Sequence, residues 1–360
     1  RSVLLVNVLN WALSAYAGRE LLRKSIQSFL FVPALPYSLA ITRILFFGYL
    51  AFLYSAYFIP SMGPTIGMLS KAPLPFIGWL IEITPVNPEL YKAIGWVGVF
   101  ASLMVAIGFR TRFFLVVNAL VVFYIIATPN FFGKLHHQQV VIWIAWILAF
   151  SPCYDVLSVD SLLKKREQVV SKPIYSFHLR IIWLHIGLIY FFAGFYKLWI
   201  CGFDWALTNS MINQVQIEWF EHFDKVSDWR VDKVPWLLKV GGFGVIIFEL
   251  GYILMLAFKP LRWVSVFGGL AMHNFLGKVM YISFLGMLQV FYVVFIPWNY
   301  LLKKIGIIGK NLTVDPELPK LKTIAIAGPL FILGMNLVFG TFNINSYPFS
   351  IYPVYAEIVP

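Results

Sequence analysis

Tyr190–Trp205 reads YFFAGFYKLWICGFDW, and its reading decides what kind of chain this is. A long apolar run ends there with one lysine, Lys197, then glycine, aspartate and several aromatic residues. A lysine near the end of a hydrocarbon-spanning helix has two readings. It is either an anchor that snorkels its ammonium to headgroup water, or a buried amine that desolvation has turned into a base. The rest of the sequence supplies the setting. Of 360 residues, 60% are hydrophobic and only 12% charged, with mean hydropathy +0.79, well beyond a soluble domain. The expected fold is an all-α polytopic integral membrane protein. A net charge of +12 does not point to nucleic acid here, because surplus Lys and Arg in such chains face anionic lipid in cytoplasmic loops.

Working outward from Lys197, the span that carries it runs over 174–200, and about nine spans of roughly 20 residues are expected in all. The others fall near 38–59, 91–109, 113–128, 140–150, 236–258, 261–276, 279–300 and 324–339. Three regions follow: an interfacial amphipathic segment at 1–30, a transmembrane domain at 31–340, and an aromatic, proline-rich external tail at 341–360. Between the first two spans, Pro60, Pro64, Pro73, Pro75, Pro85 and Pro88 forbid one regular helix and suggest a re-entrant or surface loop. The Trp-rich stretch 201–239 suits helices lying at an interface.

Basic residues set the orientation. Arg19, Arg23 and Lys24, Arg110 and Arg112, Lys164 to Lys172, Lys259 with Arg262, and Lys303 to Lys322 fall in alternate connections and outnumber those opposite. The N-terminus is therefore expected in the cytoplasm and the C-terminus outside, as in a bacterial inner membrane. No cleavable signal is evident, so targeting is expected from the spans themselves. Lys197, His136, His137, the Trp-rich loop and the tail then gather at the outer face. Cys153 and Cys201 lie a hydrocarbon thickness of about 30 Å apart and cannot form a disulfide.

Several polar residues have both a chemical and a structural reading. His136 and His137 are catalytic partners or interfacial caps of the fourth span. The six histidines, at 136, 137, 178, 185, 222 and 273, show no HExxH, no Cys pair and no four-residue spacing, so no metal is expected. His178 and His185 share a helix face and suit packing or hydrogen bonding between helices. Glu249, an acid within a span, must have a partner, with Lys197, Arg262 and a histidine as candidates. His273 with Asn274 suits a structural hydrogen bond or a substrate contact. No phosphate loop, dinucleotide fingerprint, GxSxG or haem-attachment motif occurs.

Taken together, YFFAGFYKL (190–198) followed by DW (204–205), GFRTR (108–112), FSPCYDVLSVD (150–160), FELGYILMLAFKPLRW (248–263) and MHNFLGKVMYISFLGML (272–288) resemble the HTTM (horizontally transferred transmembrane) domain, which includes the vitamin K-dependent gamma-carboxylases. The resemblance covers about residues 30–297. It implies that Lys197 matches the lysine held to deprotonate vitamin K hydroquinone, and that His136 or His137, most readily His137, matches a functional histidine. The carboxylases carry a lysine pair where this chain has Tyr196 and Lys197. The reading that follows is a membrane enzyme, of lyase or oxidoreductase type, with Lys197 as base on vitamin K hydroquinone, another quinol or another lipid. Tyr190, Tyr196, Trp205, Glu249, His273 and Asn274 would contact that substrate. The partners implied are the bilayer, a lipid or quinone ligand, and a secreted peptide or protein substrate. The alternative is a non-enzymatic adaptor for maturation or export of a secreted peptide, bound at the outer aromatic surface.

Overall fold

Helices in this chain start on side-chain caps at Asn87 and Ser158, and on proline at Pro173 and Pro235. The computed structural model describes residues 19–21, 23–62, 78–131, 139–164, 169–221, 226–281, 292–308, 313–317 and 323–344, with Ser346 and Phe349. Helix α1 (Tyr37–Leu53) continues through a π-helical turn at Tyr54–Phe58. In α2 (Pro88–Ile107), the Asn87 side chain accepts from the Leu90 amide, and Pro88 occupies the first turn, where its missing N–H costs nothing. That helix stops at Gly108, whose φ of 77° suits a residue without Cβ. Next come α3 (Thr111–Asn130), α4 (Gln139–Ala149), α5 (Val159–Leu163), β1 (Val170–Ser171) and α6 (Pro173–Cys201). The chain continues through α7 (Asp204–Leu207), α8 (Ser210–Glu221), α9 (Pro235–Ala257) and α10 (Lys259–Val279). It closes with α11 (Trp298–Lys304), β2 (Thr313–Val314) and α12 (Ile324–Thr341).

Among the described residues, six helices are long and apolar enough to cross a membrane: α1 with its π turn, α2, α3, α6, α9 and α12. The count of nine spans expected from the sequence is not confirmed. The segment near 140–150 lies in α4, described over eleven residues from Gln139, with 132–138 outside the described residues. Residues 261–276 lie in α10, which has the length, but Arg262, His273, Asn274 and Lys278 dilute its apolar character. The segment expected at 279–300 includes residues 282–291, which lie outside the described residues. So do residues 1–18, while 23–30 are helical. Within the tail, Phe349 is buried and stacks on Trp143 at 4.2 Å, so the chain lies against the bundle at that point.

One end of the bundle is tied together by connections distant in sequence. Asp160, in α5, accepts from the backbone amides of Arg110 and Thr111 and from the Thr111 hydroxyl at 2.9, 2.7 and 2.7 Å, capping α3. Burial alone would raise the pKa of Asp160, but the Thr111 and Arg110 hydrogen bonds and nearby Lys164 outweigh it and hold the carboxyl below its usual range. Arg43, fully buried near the start of α1, donates to the carbonyls of Cys153 and Leu157. Ala34 pairs with Lys172 across an antiparallel bridge, β1 and β2 pair in parallel, and Lys172 contacts Asp315 at 3.5 Å. Asn299 reaches back to Leu35 and Ser38. Hence GFRTR and the end of FSPCYDVLSVD act as a joint between helices. Arg110, Arg112, Lys164, Lys172, Lys303 and Lys304 all gather at this basic end.

Candidate functional site

Helices α6 and α9 share the most extensive contact in the fold, and they run antiparallel. On α6, Tyr190, Gly194 and Lys197 follow at spacings of four and three and so face one way. On α9, Tyr252 and Glu249 answer them. The approach at Gly194 is close: a Cβ there would sit 2.7 Å from the Glu249 Cβ and 3.1 Å from the Leu250 amide nitrogen. Gly187 meets Leu256 in the same manner lower down. Absence of side chains at these points is what lets the two backbones approach and sets Lys197 beside Glu249.

Lys197 Nζ donates to both carboxylate oxygens of Glu249, at 2.7 and 2.8 Å. The two side chains are 5% and 7% exposed. Partner choice thus falls on Lys197 rather than on Arg262 or a histidine; Arg262 instead donates to the Leu256 carbonyl. After α6 the chain turns at Gly202, with φ 60°, into α7, and this turn brings the indole of Trp205 over Lys197, 5.2 Å from Nζ to the ring centroid. Trp205 is itself buried, and its neighbour Ala206 is seated against Gly242 of α9. An ammonium held between a carboxylate and an indole face is well satisfied, which explains how a charge is accommodated there.

Two turns earlier on α6, the Tyr190 hydroxyl shares hydrogen bonds with His273 Nε2 at 2.7 Å and with the Tyr292 hydroxyl at 2.6 Å. Its ring stacks on Tyr252, centroids 4.1 Å apart and 13° from parallel. Tyr190 also lies within electrostatic reach of Glu249. A hydroxyl–imidazole network therefore adjoins the ion pair. Transfer of one proton from Lys197 to Glu249 would convert the ion pair into a neutral amine and a neutral acid, without changing the net charge buried.

The structure brings together Lys197, Glu249 and Trp205, and beside them Tyr190 and His273. It does not bring Tyr196 to the pair: its hydroxyl donates to the Gly340 carbonyl at 2.6 Å, tying α6 to α12. Asn274 donates to the carbonyl of Leu270 in its own helix. His136 and His137 lie outside the described residues. His178 is fully buried in the packed bundle and meets the Ile174 carbonyl of its own helix at 2.9 Å, a structural role apart from the ion pair. Tyr252 and Tyr292 were not among the residues picked out from the sequence. Tyr252 follows Glu249 by three positions and so shares its helix face, a signal that was available; Tyr292 has no such marker.

No curated protein and no solved structure is matched by the chain. The HTTM domain model matches residues 31–303, most of the chain and all of the site just described. The chain is therefore a member of the HTTM domain family, a membrane protein of the gamma-carboxylase-related group.

Proposed function

We propose that this protein is a membrane enzyme in which Lys197 acts as base on a hydroxyl of a quinol-like or other lipid substrate. The observation that carries this reading is the buried Lys197–Glu249 pair under the Trp205 indole. Glu249 serves as the proton store: it takes a proton from Lys197 and leaves a neutral amine. That amine then receives the substrate's hydroxyl proton and, as ammonium, stabilises the oxyanion formed beside it. Trp205 excludes water, which strengthens that stabilisation. Tyr190, hydrogen-bonded to His273 and Tyr292, adjoins the pair and would tune its electrostatics. The chemistry of the donor set suits a quinol, with a base and a carboxylate among aromatic side chains, and in this reading Trp205 and Tyr190 would shift to contact the ring. A quinol would supply an acidic phenolic hydroxyl. His137 and His136 remain candidate partners in catalysis. In this reading nine membrane segments are retained by counting α4, α10 and residues 279–300 as shorter or more polar crossings, with the N-terminus in the cytoplasm and the tail outside.

The test begins with mass spectrometry of the lipid extracted from the purified protein, which names the substrate for an assay. Lys197→Arg is then compared with Lys197→Ala. An arginine keeps the cation and the pair with Glu249 but cannot give up its proton at neutral pH. The expected loss is on the order of 10²–10⁴ in rate for both variants. Full activity in Lys197→Arg refutes the base role, and a tightly retained peptide in place of a lipid would favour the adaptor.

A further inference from the structure

The basic end holds a second feature, on the opposite half of α6 from Lys197. Arg180 of α6 and Arg262 of α10 come close enough to interact electrostatically. The guanidinium of Arg262 lies over the ring of Trp183, 4.7 Å from its centroid, and Trp183 is one turn on from Arg180. Arg180 lies over Phe29 at 5.0 Å. Each cation is thus fixed on an aromatic face rather than free to swing away from the other. Arg262 spends one donor on the Leu256 carbonyl, and among the described residues neither arginine has a carboxylate partner. Two like charges held together and half-buried repel one another, and the arrangement gains most from an anion between them. Guanidinium forks match the paired oxygens of a phosphate.

We infer that Arg180 and Arg262 form a binding site for the phosphate of an anionic phospholipid headgroup. Depth favours a lipid over free phosphate. With 29 residues, α6 is about 43 Å long at 1.5 Å per residue, the thickness of a bilayer with its headgroups. Arg180 stands seven residues from its start, about 10 Å in and so roughly 3–4 Å below the headgroup layer, a depth from which a long side chain snorkels to phosphate level. Exposed Trp263 and Leu261 beside Arg262 offer apolar surface for the acyl chains. This site is independent of any chemistry at Lys197.

The full chain, purified in detergent, is heated with phosphatidylglycerol, phosphatidylcholine or inorganic phosphate at equal concentration, and lipid retention is read by native mass spectrometry. Phosphatidylglycerol should raise the unfolding midpoint by a few degrees and be retained, and phosphatidylcholine should do neither. The double variant Arg180→Gln/Arg262→Gln should lose both effects. Lys303→Gln/Lys304→Gln, which removes two exposed charges from the same end, should keep them. The site is refuted if the arginine variant retains the shift, if phosphatidylcholine matches it, or if the lysine variant abolishes it equally. Inorganic phosphate reproducing the full shift would refute the lipid assignment. Should the double variant fail to fold, Arg180→Lys keeps the charge without the fork: severalfold weaker retention is expected, and unchanged retention refutes the site.

Discussion

Removing one member of the Lys197–Glu249 pair leaves the other buried with its charge unanswered. Glu249→Ala should therefore destabilise the protein by about 3–5 kcal/mol, as measured by unfolding in detergent. Glu249→Gln should cost clearly less, because the amide oxygen still accepts from Lys197. Equal losses would mean that the carboxylate's hydrogen bonds contribute little. Tyr190→Phe tests the adjoining network. It keeps the stack on Tyr252 but removes the hydroxyl shared by His273 and Tyr292, so turnover should fall and stability should drop by about 1–3 kcal/mol, less than for Glu249→Ala. That Glu249 needed a partner could be read from the sequence, since an unpaired carboxylate in a span is costly. Which partner it took could not, because that depends on the register of α6 against α9.

That register is an element-scale property, and Gly194 holds it. The Cβ of Gly194→Ala would meet the Glu249 Cβ and the Leu250 backbone, neither of which can rotate away. The helices must separate, at a cost of about 1–3 kcal/mol, and the Lys197–Glu249 contact should lengthen with them. A thermal scan with an activity measurement checks this; a midpoint and rate equal to the parent protein would show that the contact tolerates slack. Asp160 governs the start of α3. Its carboxyl is held below its ordinary value in the fold, so the stability it contributes is fully present above the unfolded value of about 3.8 and is lost as pH falls through the lower folded value. Asp160→Asn should remove about 1 kcal/mol at neutral pH and flatten the acid limb of the stability profile. An unchanged acid limb would contradict the capping role. Helix starts of this kind were legible wherever a short signal marked them, as at Pro173 and Pro235. The role of Asp160 was not, because it caps a helix that begins 49 residues earlier.

For the whole molecule, the all-α membrane class was legible from apolar content alone, which no soluble fold would tolerate. Span number was not. A window of apolar residues looks alike whether it lies in the 23-residue α9 or the eleven-residue α4. Orientation is testable directly. In intact cells, a membrane-impermeant thiol reagent should label Asp228→Cys, in the exposed Trp-rich connection, and miss Lys303→Cys at the basic end, both native cysteines being buried. The reverse pattern would invert the bundle and put the Lys197 end in the cytoplasm.

The joint at the basic end also has a mechanical meaning. Ala34 with Lys172 and Val170–Ser171 with Thr313–Val314 join the loops before α1, α6 and α12 through backbone hydrogen bonds, and the Asp160 carboxylate clamps the start of α3. Helices fixed at one end can spread only at the other, as the arms of a clothes-peg do. Opening at this end must break several of these hydrogen bonds together, whereas the opposite end is held across elements by side-chain hydrogen bonds such as Tyr196 to the Gly340 carbonyl and Trp219 to the Val279 carbonyl. The jaw of the peg is therefore the end where Lys197 lies, and under the proposed function it is there that a lipid substrate would enter.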